Sequence, residues 1–515
     1  MPLGRTKAVA LIGLAGSIVE IEADISNNLP SFVLIGLPDT ALNEARDRVR
    51  AAAMNSGCGL PNRKLTVNLS PAALPKHGSG FDLAIALAVL AAAGRVNRDS
   101  VARVVHLGEL GLDGRLRPIN GILPAVLAAL RSGAKTVMVP TGNADEASLV
   151  PGMRVVGVAS LLDAAIWHGG DFLPVPVEAI ARVAAIEAPS SAGDSPGDLS
   201  DVIGNADAVE AMQVAAAGGH HVFLLGPPGS GKTMLAGRLP GLLPDLESEA
   251  ALEVSSIRSL AGQPVGSSLV TRPPLEAPHH TATAAAIIGG GSSNIRPGAA
   301  ARAAHGVLFL DEAPEFPASV LDALRQPLES GIISIHRANA VAHFPGRFQL
   351  VLAANPCPCG QYGARDSECV CPPSLRRRYL GRVSGPLLDR IDIQLRVTRI
   401  TATELRLARE STRISTSTAR ERIVQARGAS HERLQGSPWT LNGQVPGSWL
   451  RGPQLRLGPH TTAAIDRALE RGGLTMRGYD RVLRLAWSIS DLAGTNRPSA
   501  DQVGQALYLR KAISS

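Results

Sequence analysis

Uninterrupted apolar runs occur at 222–225 (VFLL), 307–310 (VLFL) and, broken by one glutamine, at 348–355 (FQLVLAAN). Runs of this length without alternation read as strands buried on both faces of a parallel sheet. Helical stretches at 206–217 and 320–328 and a hairpin at 331–336 with 341–343 accompany them. The Gly-rich polar segment around 277–298 has no period and reads as an inserted hairpin or set of loops. Before these runs, strands are expected at 8–14 and 18–25 (turning at Gly16), 32–35, 65–69, 104–107, 116–119 and 136–139. Helices are expected there at 42–54, 82–93 and 125–132. Beyond residue 401 the pattern is helical, at 402–410, 418–427, 463–471, 479–492 and 500–512, interrupted by Gly/Pro-rich 436–459. A Pro/Ser/Gly-rich stretch divides the chain. The expectation is an α/β protein: an α/β domain at 1–172, a linker at 173–200, a parallel-sheet α/β core at 201–396 and a helical lid at 397–515.

Composition narrows the chemistry. Aromatic residues are 3% of the chain, which disfavours a single-strand binder built on exposed stacking rings. The net charge of +7 is concentrated: residues 376–427 hold 13 Arg and no Lys against 5 acids. That window suits a polyanion such as DNA, and equally suits a solvated helix face with subunit contacts. No apolar run is long enough to span a membrane. Residues 5–19 look like an export signal only until Gly13 and Gly16 break the run and Ile18, Glu20, Glu22 and Asp24 continue in strand-like alternation. A cytoplasmic location is therefore expected. Four of five cysteines form two C-x-C pairs, Cys357/Cys359 and Cys369/Cys371, which fits a tetrahedral zinc or free thiols better than disulfides. Cys58 reads as a small buried hydrophobe.

The first apolar run leads into Gly226-Pro227-Pro228-Gly229-Ser230-Gly231-Lys232-Thr233, a match to G-x-x-x-x-G-K-[ST]. Glycines let the backbone close on a phosphate, and free N–H groups at a helix start point at it. Lys232 would reach the β- and γ-phosphates of ATP, and Thr233 would offer its hydroxyl to Mg²⁺. Asp311 and Glu312 end the second run. Asp311 suits the metal and Glu312 the attacking water. Asn355 ends the third run, where its amide can hold that water, or merely end a strand. Adjacent histidines seldom ligate one ion, so His279 and His280 read as loop structure or a partner-facing feature.

Two segments of the first domain resemble the proteolytic domain of Lon-type proteases: Pro75-Lys76-His77-Gly78-Ser79-Gly80, and Gly108-Glu109-Leu110 through Gly114-Arg115 to Pro118-Ile119-Asn120-Gly121. Gly80 stands at the nucleophile's position and Leu123 at the dyad lysine's, so the resemblance implies a Lon-like fold without proteolysis. The segments GGHHVFLLGPPGSGKT, EAPHHTAT, AAHGVLFLDEAPEF, LAANPCPCG and SGPLLDRIDI resemble the ComM (YifB-type) subfamily of magnesium-chelatase-like AAA+ ATPases. This resemblance implies an arginine finger at Arg390, acting on a neighbour's ATP, unless Arg390 is spent on Asp389 or Asp392. It also implies a phosphate-sensing lid arginine at Arg477, with Arg481 as the alternative. A ring, of hexamer size, and DNA branch migration are implied as well. The competing expectation is a protein-remodelling or chelatase-type ATPase that works with a partner protein.

Overall fold

The computed structural model describes residues 3–36, 39–72, 74–76, 78–181, 197–291, 295–337, 340–363, 369–410 and 413–511. His77, linker residues 182–196 and the end of the last predicted helix lie outside them.

The first unit is a seven-stranded mixed sheet. Its order is Ser31–Ile35, Lys64–Ser70, Ala15–Ser26, Gly4–Ile12, Val105–His106, Thr136–Pro140 and Arg154–Val158. The opening hairpin turns at Gly13, not Gly16, because Gly13 takes the left-handed φ of +62°. Gly16 lies inside a strand, where a Cβ would come 2.4 Å from that of Ala128. The turn at 112–115 joins Glu109–Leu110 to Leu116–Arg117, whereas Val105–His106 belongs to the main sheet. The helix Asp82–Ala92 is buried at every residue, as its unbroken Leu/Ala/Val pattern dictates. Its one acid, Asp82, is neutralised by Arg48 at 2.7 Å.

The central sheet has five strands in the order Leu275–Glu276, Val307–Leu310, Gln349–Ala354, Val222–Leu225 and Ile393–Arg396, all parallel. The period of two decides what each face meets. Val222 and Leu224 face one core together with the helices Ala206–Gly218, Lys232–Leu242, Thr416–Arg433 and Met476–Leu492. Phe223 and Leu225 face another, closed by the hairpin Ile332–Arg337 and Ala340–Pro345. The C-terminal helices therefore share a continuous apolar core with one face of the sheet.

Two elements here escaped the sequence pattern. Leu275–Glu276 is a two-residue edge strand just before the Gly-rich polar segment. That segment includes the short helix Ala284–Ile288 and, in keeping with the hairpin alternative, an antiparallel ribbon of Gly289–Gly290 with Arg296–Pro297. The helix Ser248–Ala261 buries Ser255, Ser256 and Ser259 among its inward residues, so its apolar stripe is faint. This helix carries the first unit: Gly121 N–H donates to Ser259 O at 3.0 Å and Leu123 N–H to Ser259 Oγ at 3.3 Å. The residue standing where a Lon dyad lysine would be thus belongs to a docking seam.

Candidate active site

The chain leaves Leu225 in a loop that needs glycine for conformational reasons. Gly229 and Gly231 have φ of +75° and +91°, and Gly231 caps the helix Lys232–Leu242 from the left-handed region. Gly226 is required for space instead, since a Cβ there would lie 2.2 Å from Val397 O. The nearly buried Lys232 ammonium donates to Gly226 O at 2.7 Å, Pro227 O at 3.0 Å and Asn355 Oδ1 at 3.2 Å. Burial pushes its pKa below the usual lysine value, and the carboxylates of Asp311 and Glu312 oppose that shift.

Thr233 Oγ1 donates to Asp311 Oδ2 at 2.7 Å, joining the two oxygens proposed for Mg²⁺ across 78 residues of sequence. Asp311 Oδ1 accepts the Glu312 N–H at 2.9 Å. Glu312 itself is one of three non-glycine residues with positive φ among the described residues (φ 51°, ψ 43°). Such a backbone costs on the order of 1 kcal/mol, and here it accompanies a carboxylate at the strand end. Asp311, Glu312, Lys232, Thr233, Asn355 and Ser230 line one cavity of about 440 Å³. The oxygens of Thr233 and Asp311 are hard donors of the kind Mg²⁺ prefers, and the loop's open N–H groups suit phosphate.

One further neighbour carries no sequence signal. His280 Nδ1 lies 3.3 Å from Glu312 Oε2, so His280 is more than loop structure. His279 stays outside, bonded to Thr281 Oγ1 at 2.9 Å. The strand Leu275–Glu276 explains the difference, because it delivers residues 277–280 to the same sheet end as Asp311. A two-residue strand leaves no periodicity from which this could be read.

The arginines sit elsewhere. Asp392 N–H donates to His221 O, so Arg390 lies near the start of the strand Ile393–Arg396. The phosphate loop leaves the neighbouring strand at its far end, about 10 Å along. Arg390 donates to Pro386 O at 2.6 Å and pairs with Glu329, an acid the sequence reading did not consider; Asp389 and Asp392 pair with other arginines. Arg390 Nε is buried with no partner among the described residues. Arg477 is exposed and reaches Asp389 at 3.3 Å. The alternative, Arg481, is used up: it pairs with the buried Asp392, which also meets His220 at 3.0 Å. Burial opposes ionisation of Asp392, yet Arg481 and His220 together hold its carboxyl far below the usual range.

The four cysteines converge. Cys357 Sγ lies 3.3 Å from Cys359 and 3.7 Å from Cys369, and all four sulfurs fall within 4.8 Å of one another. In the first unit, among the described residues, the two Lon dyad positions carry neither a nucleophile nor a base. Gly80 has no side chain and Leu123 is fully buried, while Ser79 bonds Glu109 and Lys76 donates to Leu74 O at 3.1 Å. No helix among the described residues is long and apolar enough to cross a membrane.

A parallel sheet with this loop, paired acids and a packed helical segment defines a P-loop ATPase of the magnesium-chelatase-like AAA+ class. Sequence families described as magnesium chelatase subunit ChlI match residues 21–143, 198–405 and 413–510. Competence protein ComM of Haemophilus influenzae is 38% identical over 518 residues, covering 100% of this chain and 98% of its own. An uncharacterized protein of Mycobacterium tuberculosis is 48% identical over 512 residues, 99% of each chain. The Lon protease of Mycolicibacterium smegmatis is 32% identical over 156 residues, 29% of this chain and 20% of its own. The chain belongs to the ComM (YifB-type) family.

Proposed function

We propose that this chain is one subunit of an ATP-hydrolysing ring, of hexamer size, that moves DNA in a helicase- or branch-migration-like manner. The observation that carries the reading is the division of charge between the two ends of the central sheet. Lys232, Thr233, Asp311, Glu312 and Asn355 gather at one end, and Arg390 and Arg477 stand at the other. Head-to-tail packing would bring one subunit's arginines to the next subunit's phosphates, where γ-phosphate charge needs a further cation.

Within a subunit, Lys232 neutralises phosphate charge and the loop N–H groups orient it. Bound Mg²⁺, held by Thr233 and Asp311, would supply Lewis-acid polarisation of the phosphate oxygens. Glu312 orients the attacking water and takes its proton, while Asn355, tied to Lys232, registers the phosphate end. DNA as the polyanion is supported by Arg377 and Arg378, exposed on the helix Pro373–Leu380, and by kinship to a competence protein. The all-sulfur cluster at Cys357, Cys359, Cys369 and Cys371 is the donor set of a structural zinc.

Two variants test the division of labour. Lys232→Ala should abolish ATP binding, whereas Glu312→Gln should bind ATP and lose turnover by about 10³-fold or more. Wild-type turnover in Glu312→Gln would end the assignment. Hydrolysis should also rise with single-stranded, duplex or four-way DNA and lose that stimulation with salt. Indifference to all three would transfer the reading to a protein-remodelling or chelatase-type ATPase.

A further inference from the structure

Asn355 is followed at once by the cysteine loop, and that loop is seated on the phosphate loop. Cys357, two residues on, is completely buried. Gly360 N–H donates to Cys357 O at 2.9 Å and Tyr362 N–H to Cys357 Sγ at 3.4 Å, which curls the chain tightly around the sulfur. At the tip of the curl a Cβ on Gly360 would lie 2.7 Å from both Cδ and Cγ of Pro228 and 3.9 Å from Asn355 Cγ. Gly360 also has φ of +76°, so two independent constraints hold this position to glycine. Pro228 is gripped from its other side, its carbonyl accepting Arg399 Nε at 3.0 Å. Outside the curl, the Arg376 guanidinium lies 3.7 Å over the Tyr362 ring.

The sulfur geometry fits one ion. Zinc–thiolate bonds of about 2.3 Å in a tetrahedron put sulfurs about 3.8 Å apart. The separations here are 3.3 Å for Cys357–Cys359 and 3.7 Å for both Cys357–Cys369 and Cys359–Cys369. Two C-x-C pairs far apart in sequence are thereby drawn to one point, beginning two residues after Asn355.

We propose that zinc at these four cysteines clamps residues 357–363 as a wall of the nucleotide site, so that metal occupancy sets ATP affinity. The ion touches no phosphate. It acts through Gly360 on Pro228 and through Cys357 on Asn355, fixing the spacing between phosphate loop and amide. This rests on the reading of the cavity as an ATP site.

The test uses the full chain, purified without chelators. Metal analysis should find about one zinc per chain. Removing it with a mercurial and a chelator under reducing conditions should weaken binding of a fluorescent ATP analogue about tenfold, the worth of one well-placed contact. Added zinc should restore it. Cys359→Ser, at the exposed ligand, should lose zinc and show the same weakening. Gly360→Ala, which crowds Pro228 without touching a ligand, should keep its zinc and still bind ATP more weakly. Absence of zinc, or iron in its place, overturns the proposal. Unchanged affinity in the zinc-free protein or, should metal removal unfold the chain, in Gly360→Ala, overturns the coupling. Zinc-loaded wild-type protein that binds no ATP overturns the nucleotide reading and the coupling with it.

Discussion

Arg390 is the residue whose observed contacts most sharpen its proposed role. To act on a neighbour's ATP it must leave Glu329, an exposed acid at the end of the helix Arg325–Ser330. Ion pairs with exposed partners are worth about 0.2–1 kcal/mol, small enough for assembly to break. If Glu329 parks the finger, Glu329→Gln should raise ATP turnover up to about fivefold at subsaturating subunit concentration. The same change should do nothing in an Arg390→Ala background. Steady-state rates across a protein dilution series would decide it; a lower rate in Glu329→Gln would mean that Glu329 orients Arg390 and does not restrain it. No motif could have pointed to this pair, because the partners are 61 residues apart and Glu329 looks like an ordinary surface charge.

Among the elements, legibility followed burial. Strands buried on both faces, Val222–Leu225 and Val307–Leu310, announce themselves as apolar runs, and with them come Lys232, Thr233, Asp311 and Glu312, which stand at their ends. The two-residue strand Leu275–Glu276 carries no such signal, which is why His280, a neighbour of Glu312, reads from sequence as loop structure or a partner-facing feature. The helix Ser248–Ala261 was hidden because three serines share its buried face with Ala251, Val254 and Ile257, and one of them, Ser259, holds Gly121 and Leu123 by hydrogen bonds. Buried polar contacts of this kind also set a pH response. In the first unit a chain of groups runs from Thr6 through His106 and His168 to Ser100, linking strands Gly4–Ile12 and Val105–His106 to the helices Leu161–Trp167 and Arg98–Ala102 at 2.6, 2.9 and 2.8 Å. Burial, then the neighbouring His168, holds His106 well below its usual pKa, and burial pushes His168 down to about 4. Above about pH 6.5 both are neutral whether folded or unfolded, so they add no pH dependence there. As pH falls below that value the unfolded chain binds protons that the folded chain refuses, and stability drops continuously towards pH 4. Thermal melts should therefore lose ground between pH 7.5 and 5. His168→Gln should start less stable at pH 7.5 but lose less over the interval, and an equal loss in both proteins would remove the histidines as the cause.

At the scale of the whole molecule the question is assembly. A single chain presents its phosphate-binding end and its arginine end on opposite sides of a sheet whose strands are only two to six residues long. The helices Thr416–Arg433 and Met476–Leu492 share a core with that sheet, and the first unit docks on Ser259, so intramolecular packing ties all three regions together. Large internal rearrangement is therefore a costly way to bring Arg390 to its own phosphate loop, and a neighbour is the cheaper source. A mixing experiment tests this. Arg390→Ala should keep nucleotide binding and lose hydrolysis by about 10³-fold, while Lys232→Ala should lose binding. Each protein alone is then inactive for a different reason. In co-assembled rings, some interfaces pair an intact Lys232 with an intact Arg390 from the adjacent subunit, and activity should partly return. DNA should stimulate the recovered activity if the ring moves DNA. Mixed rings, verified to contain both chains, that stay inactive would place Arg390's action within its own subunit. Recovered activity indifferent to DNA would keep the shared site and replace the nucleic acid by a protein partner.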